Sequence, residues 1–68
     1  MIIKNGFVRT SDEVWINLDS VEMFWVEKDA EMTYTIKALV DDRNIDIASY
    51  DAKNEALCAL DDAFGYEG

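Results

Sequence analysis

The stretch "VEMFWVEKDAEMTYTIKALV", residues 21–40, decides the fold. It holds two runs rich in β-branched and aromatic residues, "VEMFWVEK" and "EMTYTIKALV", separated by Asp29-Ala30, and each reads as a strand. A tight loop at Asp29-Ala30 pairs Lys28 with Glu31. It predicts Val26 opposite Thr33, Trp25 opposite Tyr34, Phe24 opposite Thr35, Met23 opposite Ile36 and Glu22 opposite Lys37. Val21, Met23, Trp25, Tyr34, Ile36 and Ala38 then share the core face, and Phe24, Val26, Thr33, Thr35 and Leu39 lie outside. The Glu22–Lys37 and Lys28–Glu31 pairs each contribute about 0.2–1 kcal/mol. Side chains alternate between faces, so a one-residue slip would turn them all over. Asp-Ala lacks the glycine of a preferred two-residue turn, which leaves a longer loop as the alternative.

Working outward, "DDRN" after Val40 reads as a second turn. It sets Val40 opposite Ile45 and Ala38 opposite Ile47, and "NIDIASY" becomes the last strand of a meander. The period then changes. In "DAKNEALCALDDAFG", Lys53, Leu57, Leu60 and Phe64 form one stripe at helical spacing, flanked by Ala56 and Ala63. Asp51 is placed to cap the helix and Gly65 to end it. Toward the N-terminus, "MIIK" and "FVR" flank the turn signal Asn5-Gly6, and "EVWINLD" alternates as a third short strand. The expected fold is α+β: a small antiparallel meander of three to five strands, with one C-terminal helix packed on one face.

The chain has 68 residues, which is one domain spanning 1–68. A domain this small buries only about 60% of its unfolded surface and needs a good core, self-association or a partner. Half of its residues are apolar, and Cys58 is the single cysteine. One cysteine and no histidine leave no disulfide within the chain and no zinc site, so no metal or other cofactor is expected. The opening residues lack the apolar run of a signal peptide, and no stretch approaches membrane-spanning length. A cytoplasmic setting without membrane contact is expected.

Fifteen acidic and six basic residues give a net charge of −9. Residues 1–40 hold seven acids and four bases, whereas residues 41–68 hold eight acids and two bases. This balance argues against direct nucleic-acid binding, because phosphates call for a basic patch. At helical spacing Asp51, Glu55, Cys58 and Asp62 share one face. Asp51 and Glu55 would stand roughly 6 Å apart along the axis, close to the spacing of successive phosphates. Asp41, Asp42 and Asp46 could extend the row, with Asp61 beside it. The bland reading of the same residues is a solvated face. A second candidate surface is apolar: Phe24 and Val26 on the outer sheet face, with Trp15, would suit a homodimer or a docking partner.

Catalysis is not expected. Acid–base chemistry needs a carboxyl in a cleft with its pKa shifted by burial, and a thiol flanked by acids is poorly activated. Phosphate-binding glycine motifs and a calcium loop are missing, and nothing in "DDRNID" fixes a cation geometry. In size, acidity and lack of catalytic motifs, with "VDDRNID" and "ALDDAFGYEG" carrying most of the charge, the chain resembles a known group. These are the small acidic proteins that phages and mobile elements use against bacterial defence, including anti-CRISPR proteins and other DNA mimics. The resemblance implies an inhibitor acting in the host cytoplasm. It would block the basic groove of a nucleic-acid-binding protein or complex, such as the DNA- or PAM-reading surface of a CRISPR complex. Its contacts would be Asp41, Asp42, Asp46, Asp51, Glu55, Asp61 and Asp62. The alternative is a dimerising interaction module whose acidity serves only solubility.

Overall fold

The computed structural model describes residues 1–64. Its elements run in the order β1 (Ile3–Lys4), β2 (Phe7–Arg9), β3 (Trp15–Asn17), a 3₁₀ turn (Leu18–Ser20), β4 (Val21–Lys28), β5 (Tyr34–Val40), β6 (Arg43–Tyr50) and α1 (Lys53–Phe64). The strands form two antiparallel three-stranded sheets, β1-β2-β3 and β4-β5-β6. With the single C-terminal helix this is the expected α+β arrangement. Gly65, the expected helix stop, lies outside the described residues.

Two loop designs build both sheets. The first is a two-residue turn: Asn5-Gly6 joins β1 to β2 and Asp41-Asp42 joins β5 to β6, with all four residues at positive φ. Left-handed pairs of this kind match the twist of the strands they connect. The second is a three-residue loop closed by a polar side chain. The Asp29 N–H donates to the Thr33 carbonyl, and the Met32 N–H donates to the Asp29 carbonyl. Asp29 Oδ1 then accepts from the N–H groups of Glu31 and Thr33, each at 2.9 Å. Thr10 repeats the design between β2 and β3: it exchanges backbone bonds with Val14 and Glu13, and its Oγ1 accepts from the Val14 N–H. Met32 and Glu13 occupy equivalent left-handed positions, φ 62° and 65°.

The longer loop corrects the expected register. Val26 pairs with Ile36 rather than Thr33, a displacement of three residues. An odd displacement reverses the faces. Phe24 and Val26 therefore pack inward with Ile36 and Ala38, while Met23 is 55% exposed and Trp25 lies opposite Lys37 on the outer face. A bulge between Val21 and Met23 returns Val21 to the inner face. In the second hairpin Ala38 pairs with Ile45, where Val40 was expected. That displacement of two residues leaves Ile45 facing the core. Ile47 follows by alternation at 3% exposure, and a second bulge beside it brings Ala48 against the core opposite Ile36.

The core forms where the inner face of the large sheet meets the small sheet and the helix. Its buried centre is Val8, Ile36, Ala38, Val40, Ile47 and Ala56, ringed by Ile3, Ile16, Phe24, Val26, Ala59 and Leu60 among others. Small alanines at Ala56 and Ala59 let α1 approach the sheet closely. The expected helical stripe is thus rotated. Ala56, Ala59 and Leu60 face the sheet, whereas Leu57 is exposed and Phe64 lies at the margin, 5.0 Å from the Phe24 ring centroid to centroid. The terminal amine of Met1 donates to the Tyr50 hydroxyl at 2.8 Å and ties the N-terminus to the end of β6.

Candidate binding surfaces

The acidic residues picked out in the sequence occupy separate places. Asp41 and Asp42 form the tip of the β5–β6 hairpin, exposed and left-handed at φ 50° and 63°. That backbone costs a side-chain-bearing residue about 1–2 kcal/mol, and aspartate is among the few that visit it routinely. The turn therefore holds two carboxylates outward at a local cost.

Asp46 lies elsewhere. It sits on the outer face of β6, turned away from the helix, and accepts from Lys37 Nζ at 3.0 Å. Glu27 contacts the same ammonium at 3.3 Å from β4. Lys37 thus sits on the middle strand with a carboxylate on each side. Its pKa is raised above the usual 10.5 by the hydrogen bonds to Asp46 and Glu27, against the opposing effect of burial. The Asp46 carbonyl also accepts from the N–H and Oγ of Ser11, each at 3.1 Å. Asp46 does not extend the helical row; strand alternation places it on the opposite side of the sheet.

Asp51 precedes the helix and does not cap it by position. Ala52 supplies the carbonyl that accepts from the Glu55 and Ala56 N–H groups. The 6 Å axial spacing expected of Asp51 and Glu55 therefore does not apply. Within the helix Glu55 and Asp62 share a flank, two turns or roughly 10 Å apart. Asp62 borders a groove with Met1, Ile3, Ala59 and Ala63, whereas Asp61 borders Phe24, Leu60 and Phe64 on the other flank. All four helix-region acids are exposed, as is Cys58.

The expected apolar docking trio is also divided, and this is a correction. Phe24 and Val26 contribute to the core, so they form no outer surface. Trp15 is 45% exposed on the outer face of the small sheet, where it lines a shelf with Phe7, Lys4 and Asn5. Phe7 was not singled out, although its position was accessible. The Asn5-Gly6 turn pairs Ile3 with Val8, and turning that pair inward turns Phe7 outward. The outer Met23 and Trp25 and the Glu27 arm of the Lys37 triad were missed because they follow from the three-residue displacement, and the Asp46 arm because it follows from the displacement of two in the second hairpin; Leu39 lies outside, as expected.

Among the described residues no three acidic or thiol groups converge as metal ligands would, and no helix is long and apolar enough to cross a membrane. Comparison with protein-family models, curated proteins and solved structures found no match.

Proposed function

We propose that the chain is a non-catalytic acidic binding protein that occupies the basic groove of a nucleic-acid-binding protein or complex. It would thereby act as a charge mimic in the manner of anti-CRISPR and related anti-defence proteins. One observation carries this reading. Of the fourteen carboxylates among the described residues, only Glu13, Glu27 and Asp46 are in ion pairs, and the other eleven are exposed. Asp41, Asp42, Asp51, Glu55, Asp61 and Asp62 belong to that unpaired set. They are spread over a hairpin tip and two helix flanks rather than drawn up in a line. Recognition would rest on the summed negative field, not on a phosphate-by-phosphate copy of a strand. Such a field steers a basic partner and is weakened by salt.

A tagged chain incubated with bacterial lysate tests this reading. The expected captive is a basic nucleic-acid-binding protein that elutes as salt rises, is displaced by added DNA, and is lost when Asp41, Asp42, Asp51, Glu55, Asp61 and Asp62 become Asn or Gln. Asp46→Asn should leave capture intact. Capture that survives the sixfold neutralisation would sink the charge-mimic reading.

The aromatic shelf favours a second reading, an interaction module with its contacts moved to Phe7 and Trp15. Under that reading Trp15→Ser abolishes capture, and neutralising the acids does not.

A further inference from the structure

The two edges of the large sheet differ. The β6 edge is covered at Asp46, whose carbonyl takes two bonds from Ser11. β4 pairs only with β5, and among the described residues the one other backbone bond to Val21–Lys28 is at its start, where the Val21 N–H donates to the Leu18 carbonyl. The centre of this open edge is the apolar run Met23-Phe24-Trp25-Val26, and its charges, Glu22, Glu27 and Lys28, stand at the ends. A long apolar edge without proline or a central charge is a template for pairing.

We infer that two copies of the chain join antiparallel through β4, about a two-fold axis at Trp25, to make one six-stranded sheet. This does not rest on the charge-mimic reading. The hydrogen-bond pattern restricts the register. The Asp29 N–H to Thr33 carbonyl bond makes 29–33 a hydrogen-bonded pair. Alternation then makes Glu27–Thr35, Trp25–Lys37 and Met23–Leu39 bonded pairs as well. The N–H and C=O groups of Phe24, Val26 and Lys28 consequently point out to the free edge.

A two-fold pairing must oppose those outward residues to one another, so its axis falls on or between them. An axis at Trp25 sets Phe24 against Val26 of the second copy and Glu22 against Lys28 of the second copy. An axis at Phe24 sets Glu22 against Val26, and one at Val26 sets Phe24 against Lys28. Only the Trp25 axis joins apolar to apolar on the inner face and opposite charges at both ends. It also brings a second strand toward the groove of Phe24, Leu60, Asp61 and Phe64, where Phe64 is 43% exposed.

The interface is modest. Eight residues of strand span about 27 Å, and the molecule's smallest extent is 19 Å. The strip is thus roughly 500 Å² per copy, against about 800 Å² in a standard stable interface. The dimer is therefore weak and dissociates on dilution.

Sedimentation velocity from about 1 μM to about 1 mM tests this association. The expected result is a reversible monomer–dimer equilibrium that Lys28→Glu weakens at least about tenfold and that Glu22→Lys combined with Lys28→Glu restores. In a Cys58→Ser background, Trp25→Cys should cross-link on oxidation, since axis residues lie about 4.5 Å apart at Cα, within disulfide reach. Met23→Cys should cross-link only when mixed with Glu27→Cys. A monomer throughout the range, open-ended oligomers, a dimer indifferent to Lys28→Glu, failure of the double exchange to restore it, or Met23→Cys cross-linking by itself would each overturn the inference.

Discussion

The two hairpins that share β5 turn their chains by different means. Between β4 and β5, Asp29 folds a loop around its own carboxylate, and the chain spends three residues, Ala30 to Met32, on reversing direction. Between β5 and β6 the reversal takes only Asp41 and Asp42, both forced to positive φ. With Ile36, Ala38 and Val40 inward on the shared strand, the odd loop turns even-numbered residues of β4, Phe24 and Val26, to the core, and the even loop turns odd-numbered residues of β6, Ile45 and Ile47, to it. Each hairpin then carries one bulge, at Val21/Met23 and beside Ile47, and each bulge brings a further apolar residue inside. Loop chemistry therefore sets which side chains form the core as firmly as the strand residues do.

The largest effect that could break this comparison is a paired substitution in β4. Phe24→Ser should cost about 2–4 kcal/mol, because a half-buried ring in contact with Phe64 is lost. Met23→Ser on the opposite face should stay within about 0.5 kcal/mol. Thermal denaturation of the two variants side by side reads the parity directly, and the reverse order of melting would refute the assigned register.

Next in size is Asp29→Ala, which removes the acceptor for two loop N–H groups and should cost about 1–2 kcal/mol. Urea midpoints measure it. A null result would mean that the loop closes without the carboxylate.

The second hairpin responds in the other direction. Asp41→Asn with Asp42→Gly keeps the turn, relieves a left-handed side chain and removes two like charges. It should stabilise the chain by about 1 kcal/mol. If the fold gains nothing, the turn is not under the strain its φ values imply.

The smallest effect lies across both hairpins, at Lys37. Folding raises its pKa, so the folded state holds this proton more tightly than the unfolded chain does. Its contribution is complete below 10.5 and is lost as pH rises through the higher folded value. The stability difference between wild type and Lys37→Met should therefore shrink above that pH, by no more than about 1 kcal/mol for a pair of this exposure. A difference that stays flat with pH would remove the triad from the account.

Several elements were legible in the residues because their signals are local. Asn5-Gly6 names its turn, the β-branched and aromatic runs name the strands, and the alanine- and leucine-rich segment after Tyr50 names the helix. The Asp29 loop was less legible. Its signal is a side-chain acceptor serving N–H groups two and four residues on, and nothing in "DAEMT" distinguishes that loop from a shorter one by pattern. From this single uncertainty followed the inversion of Phe24 and Val26 with Met23 and Trp25, and with it the loss of the expected docking trio. The acidic set was visible as a charge imbalance, but its division between the two sides of the sheet was not. Asp46 follows strand parity and Glu55 follows helix rotation, and the two are related only through the packing of one element on the other.

Charge, size, element types and their order were properties of the sequence itself, since each depends on neighbours a few residues away. The inward face of β4, the rotation of the helix about its axis and the open β4 edge were decided by tertiary structure. In each case several local arrangements are nearly equal in energy, and only the burial of Ile36, Ala38 and Ala56 in one common core selects among them.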